Sequence, residues 1–213
     1  MRQDASQSSR LVVLGATGGT GRAIVDVALR AGHTVTAVTR RADALPPAAG
    51  LTVAVVPDVA DHDHLAGAIG GHDAVISALG SSERGPITVC TDGIRAALHA
   101  MGATGVRRLV VVSAHGAAES RDRSPYSLAL WASVGHKMRD KESMEMLIRA
   151  SDTDWTIVRP PALRNTAATG RYRTGTDLRV RLTTAVSRAD LADFLVREAI
   201  EPTYLHGTPR IAA

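Results

Sequence analysis

The stretch LVVLGATGGTGRAIV, residues 11–25, constrains the fold more than any other part of the chain. An apolar run ends at Leu14, glycines follow at 15, 18 and 21, and a helical pattern begins at about Thr20. This reads as strand, tight turn and helix in immediate succession. Gly15 allows the turn, Gly18 lets a ligand approach the backbone, and Gly21 lets the helix pack close to the strand. Thr17, Gly19 and Thr20 complete a loop whose free N–H groups face an anion at the helix start. The unit therefore predicts a dinucleotide-binding site, with the pyrophosphate over this loop. A glycine-rich turn without a ligand is the competing reading; the order of strand, loop, helix and second strand speaks against it.

The rest of the chain repeats the alternation. Strands are expected at 10–14, 34–39, 51–56, 73–78, 107–113 and 154–159, all rich in Val and Ile and nearly continuous, as strands buried on both faces are. Helices are expected at 20–31, 61–70, 87–102 and 136–151. The fold class is α/β: a single doubly wound Rossmann domain over 10–213, a parallel sheet with helices on both faces. Residues 1–9 read as a flexible N-terminal tail, and 81–86, 114–135 and 160–185 as substrate-side loops. Within the last of these, ATGRYRTGTD reads as a turn or short hairpin. A final helix starts at Ser187, where Ser187 and Asp190 have capping-box spacing.

Composition narrows the class of function. Aromatic residues are 3% of the chain, so aliphatic side chains must fill the core. The net charge is only +4, and no Lys/Arg block is interleaved with aromatics, which argues against a nucleic-acid surface. No apolar run is long enough for a bilayer span, so no membrane partner is expected. Cys90 is the only cysteine, which rules out an intrachain disulfide and suits a cytoplasmic location; the residue reads as core. The expected partners are a small-molecule substrate and at most a second copy, as monomer or homodimer.

The second strand ends AVTRRAD, with Arg40 and Arg41 where an NAD site usually carries an acidic residue. A guanidinium fork there suits a 2′-phosphate, which points to NADP(H), with Arg40 the better placed; two solvated surface arginines are the alternative. Asp58 and Val59 after the third strand fit the adenine edge. Ala78, Leu79 and Gly80 after the fourth strand fit the cofactor ribose.

Taken together, GATGGTGRAIV, VTRR, PDV at 57–59, VISALGS, LVVVSAHG, KESMEMLIRASDTDWTIVRPPAL and SRADLADFLV resemble the atypical short-chain dehydrogenase/reductases. The nearer branch is the NmrA-like and flavin/biliverdin reductase-like NAD(P)H-binding proteins. The likeness runs over almost the whole chain. It implies a Rossmann domain holding NADP(H), with the nicotinamide near the end of the fifth strand, beside Ser113 and Pro160. In the wider superfamily a serine works with a tyrosine and with a lysine four residues after the tyrosine. Ser113 matches the serine and Lys141 the lysine, but Lys137 stands where the tyrosine would be. That departure puts ordinary alcohol or ketone dehydrogenation in doubt. The flavin reductase-like branch also lacks the tyrosine. There a flat conjugated acceptor takes hydride and the proton comes from solvent. Proteins of that branch can carry a histidine after the proline pair, but here Pro160-Pro161 is followed by Ala162.

Other side chains offer chemistry, each with a plainer alternative. Ser113 could hydrogen-bond a substrate carbonyl or satisfy local backbone. His115 could donate a proton near neutral pH or sit in an exposed loop. Tyr126 is a candidate displaced phenol. Trp131 could stack a planar substrate or anchor its own loop. Arg164, Arg171, Arg173, Arg179 and Arg181 could meet an anionic substrate or form a solvated rim. His62 and His64 sit at a helix start, where capping explains them, and no metal is expected. The expected function is NADPH-dependent reduction of a flat conjugated molecule, such as a flavin, quinone or polyketide-like aromatic. The alternatives are an NADP(H) sensor without turnover, and a non-redox isomerase, dehydratase or epimerase on the same fold.

Overall fold

The computed structural model describes residues 8–81, 87–122, 124–181 and 183–213. Strands β1 (Arg10–Leu14), β2 (Thr34–Thr39), β3 (Leu51–Val55), β4 (Ala74–Ser77), β5 (Arg108–Val112) and β6 (Asp154–Val158) form one parallel sheet in the order β3-β2-β1-β4-β5-β6. Alternate residues of β1 explain the continuous apolar runs. Leu11 and Val13 join the core under α1 (Gly19–Arg30) and α5 (Arg188–Ile200). Val12 and Leu14 join the core under α2 (His62–Ile69), α3 (Val89–Thr104) and α4 (Pro125–Arg149). Each strand residue is thus covered on its own side, and all four of these β1 side chains are fully buried. This is the expected Rossmann arrangement. Strand order reverses between β2 and β4, which flank β1. A crevice therefore opens beyond the carboxyl end of β1.

Two local readings need correction. The segment 114–135, expected to be one long loop, holds a 3₁₀ turn at Ala118–Ser120 and the first turns of α4. Ser124 caps that helix by accepting from Ser127 N at 3.2 Å, and Pro125 occupies its first turn. The helix breaks locally at Val134 (φ −136°, ψ 29°), so the apolar period seen from 136 onward does not run continuously from Pro125. ATGRYRTGTD, expected to be a turn or short hairpin, turns at Gly170 (φ +64°) but forms no hairpin. β8 (Arg173–Gly175) instead pairs antiparallel with β10 (Arg210–Ala212), a partner beyond α5 that local turn residues could not reveal. β7 (Ala162–Arg164) pairs in parallel with β9 (Ala185–Ser187), directly before α5.

The predicted cap of α5 is in place. Ser187 Oγ accepts from Asp190 N at 2.9 Å and donates to Asp190 Oδ2 at 2.7 Å. At the other end of α5, Glu198 lies in a buried ion pair with Arg108 at 3.1 Å and also accepts from Thr156 Oγ1, Thr203 N and Tyr204 N. Of the expected N-terminal tail, residues 1–7 lie outside the described residues. Ser8 Oγ donates to Gly32 O, and Ser9 N to His33 Nδ1.

Candidate active site

Gly15 leaves β1 with φ +74°, and a Cβ there would stand 2.7 Å from Ala78 O. A Cβ on Gly21 would collide with Gly15 O. Turn and helix therefore close on each other as the glycine spacing predicts, and α1 points its first N–H groups at the mouth of the crevice. A cleft of about 570 Å³ opens there. Gly15, Thr17 and Gly18 line one wall, Arg40 the end of β2, Asp58 and Val59 the turn after β3, and Ala78, Leu79 and Gly80 the end of β4. These residues were expected to meet the cofactor, and the structure brings them together. A cleft this size, with small residues over a helix start and a guanidinium at the far end, fits a dinucleotide. Arg41 is not on the lining; it is exposed and lies 3.7 Å from Asp43. Gly19, Thr20 and Gly21 stand in α1 behind the loop.

Lys141 lies beside the cleft, against the carbonyl of its lining residue Leu79. Its Nζ donates to Leu79 O at 3.0 Å and to Val112 O at 2.7 Å, so the ammonium bridges the ends of β4 and β5. Lys137 is one helical turn away on α4, half-buried, with no hydrogen bond or ion pair from its ammonium among the described residues. Neither Ser113 nor Pro160 lines the cleft. Ser113 is 4% exposed, and its Oγ donates to Glu145 Oε1 at 2.5 Å. Glu145 is in turn gripped by Arg159 through both carboxylate oxygens, at 3.1 and 2.5 Å. Arg159 also reaches Glu119 at 2.9 Å, and Arg149 holds the same carboxylate at 2.7 Å. The Arg159 hydrogen bond holds the Glu119 carboxyl down at about 2.

The sequence reading did not single out Glu145 or Arg159. Glu145 follows Lys141 by one helical turn, which puts both on one face. Arg159 is a charge at the end of a buried strand. Those two signals, taken together, could have suggested the pair. Arg188 was also missed. Its Nε lies 3.0 Å from where a Gly19 Cβ would be, and its guanidinium donates to Asn165 Oδ1 at 2.6 Å. No local pattern connects the start of the last helix to the glycine loop.

The remaining candidates take defined places. His115 is 3% exposed, and burial, reinforced by the Arg210 charge, lowers its pKa to about 4. It is therefore buried and neutral at pH 7, which corrects both readings of it, the donor titrating near neutrality and the exposed loop histidine. Trp131 anchors its own segment: its Nε1 donates to Gly116 O, and Arg121 stacks 3.7 Å from the ring centre. The backbone of Tyr126 is in α4, but its side chain lies outside the described residues, as do residues 82–86 of one expected substrate loop. His64 bonds to the capping carboxylate of Asp61, and His62 stacks on His99 at 4.3 Å. Cys90 is buried, and burial pushes its thiol pKa up.

Residues 15–202 match the family described as NAD(P)H-binding. The uncharacterized sugar epimerase YhfK of Bacillus subtilis is 27% identical over 195 residues, which is 88% of this chain and 86% of that protein. The isoflavone reductase homolog P3 of Arabidopsis thaliana is 34% identical over 88 residues, 37% of this chain; the match spans only 28% of that protein's length. Among solved structures, ChuY from Escherichia coli O157:H7, described as an anaerobillin reductase, superposes with a TM-score of 0.82 at 26% identity, covering 95% of this chain and 96% of that one.

Proposed function

This chain belongs to the NAD(P)H-binding family and is similar to an epimerase-like and a reductase-like protein, and from that premise we propose that it is an NADPH-dependent reductase of a flat conjugated small molecule. One observation carries the reading. The positions that would supply a phenol–serine acid are diverted: Lys137 replaces the phenol, and the Ser113 hydroxyl donates to Glu145, which Arg159 grips through both carboxylate oxygens. Reduction of a conjugated acceptor needs no acid from the protein, because the added charge delocalises and the proton can come from water. The bound dinucleotide supplies the hydride.

The protein's own work is positioning. The glycine loop and the α1 N–H groups hold the diphosphate, with Arg188 packed against Gly19 beside them. Arg40 takes the 2′-phosphate. Lys141 ties the β4 and β5 ends together beside the ribose that Ala78, Leu79 and Gly80 would meet. The Ser113–Glu145–Arg159 network ties the residues that follow β5 and β6 to α4. The reductase described for ChuY supports the same class of reaction.

NADPH oxidation by purified protein against a panel of flavins and quinones, run beside titrations of NADPH and NADH, tests the reading. Turnover of any flat acceptor is the expected result. Tight NADPH binding with no turnover would replace the reductase with a sensor or a non-redox enzyme on this fold.

A further inference from the structure

A second cavity, of about 820 Å³, lies between β7, β8 and the start of α5. Its size is within the range of small-molecule sites. Four arginines line it: Arg164, Arg173, Arg179 and Arg181. None of the four guanidinium groups forms an ion pair or a hydrogen bond among the described residues. Two carboxylates share the wall, Asp177 and Asp190. Asp190 is already committed inward, accepting from Ser187 Oγ, Thr169 N, Thr169 Oγ1 and Gly170 N. Burial raises its pKa, but those donors outweigh burial and hold the carboxyl below its ordinary value. Asp190 keeps its negative charge, so it and Asp177 offset part of the wall's positive charge and the four guanidiniums remain in excess.

The cavity also has a defined position relative to the cofactor cleft. Arg164 ends β7, a few residues past β6, on the side of the sheet where ligands of doubly wound folds collect. The next residue, Asn165, holds the Arg188 guanidinium that rests on Gly19. The rim of the cavity and the glycine loop therefore share one side-chain bridge.

We propose that this cavity binds the anionic end of the substrate, a carboxylate or phosphate carried on the flat molecule whose ring meets the cofactor. This rests on the reductase reading and gives that substrate its charge. Unpaired guanidinium forks at a concave wall are matched by planar or tetrahedral oxyanions. The four arginines are exposed, so solvent and salt weaken each contact, and the preference is moderate rather than absolute.

The test uses the full chain with NADP⁺ and two matched pairs of flat probes. FMN is set against riboflavin, and anthraquinone-2-carboxylate against anthraquinone-2-carboxamide. Dissociation constants are read by titration, without turnover. We expect the charged member of a pair to bind about tenfold tighter, an advantage that the double variant Arg173→Gln/Arg179→Gln abolishes while NADP⁺ affinity is unchanged. A preference confined to the first pair assigns a phosphate, and one confined to the second assigns a carboxylate. Equal binding within both pairs, no binding by any probe, or a preference that survives the double variant overturns the proposal. If the preference holds but NADPH is never oxidised, the anion site stands and the reductase reading falls.

Discussion

Arg40 is exposed at the end of β2 and lines the cofactor cleft, whereas its neighbour Arg41 turns toward Asp43. One side chain of the pair is therefore placed to choose between the two dinucleotides. Arg40→Ala should weaken NADPH binding about tenfold or more and leave NADH binding nearly unchanged, because only the 2′-phosphate loses a charge-assisted contact. Equal losses for both, measured by titration, would show that Arg40 does not read the phosphate. Arg188 makes a separate case. It fills the space beside Gly19 that no other described residue is shown to fill, and Asn165 fixes its orientation. Arg188→Ala should weaken NADPH and NADH alike by several-fold, since a diphosphate is common to both. An unchanged affinity for the two would reduce Arg188 to packing. The first residue was legible in the sequence because its role follows from the strand that ends beside it. The second was not, because its role depends on a contact between opposite ends of the chain.

At the scale of elements, α1 and α5 cover one face of the sheet together, and the buried Arg108–Glu198 pair fixes the far end of α5. The Arg108 guanidinium also donates to the Asp154 and Glu198 carbonyls and to Thr156 Oγ1, so three segments meet on one charge. Removing one partner of such a pair leaves a buried charge uncompensated. Glu198→Ala should cost about 3 kcal/mol or more of stability, visible as a lower urea midpoint at unchanged slope. A loss within about 0.5 kcal/mol would mean that water replaces the carboxylate without penalty. The sheet strands and the final capping box were readable because each obeys a local period or spacing. The start of α4 was missed because the break at Val134 interrupts the period. β8 was misassigned because its partner strand lies on the far side of a helix.

Across the whole molecule, pH should act chiefly through groups whose titration the fold displaces, the buried His115 and the exposed, ion-paired Glu119. His115 takes its proton at about 4 when folded, against 6.5 for the unfolded ring. Between those values the unfolded chain binds the proton and the native chain does not. Stability from this group is complete above 6.5 and falls as pH drops toward 4. Moving from pH 7 to pH 5 should cost about 2 kcal/mol, and His115→Gln should flatten that part of the urea-midpoint profile. The same slope in wild type and variant would remove His115 as its source. Glu119 acts lower, losing its contribution as pH falls from 4.5 through about 2. No helix among the described residues is long and apolar enough to cross a membrane.

The sequence by itself determined the sheet, the glycine loop and the row of residues along the cofactor cleft. Each of these is written in short-range periodicity, and strands buried on both faces admit few arrangements. Only the tertiary structure decided what surrounds that loop. The Ser113–Glu145–Arg159 linkage, the seat of Arg188 on Gly19 and the gathering of four arginines around one cavity all join residues distant in the chain. A charged side chain has no periodicity that announces its partner. Its partner is fixed only when packing of the apolar faces has set which helix ends and strand ends meet.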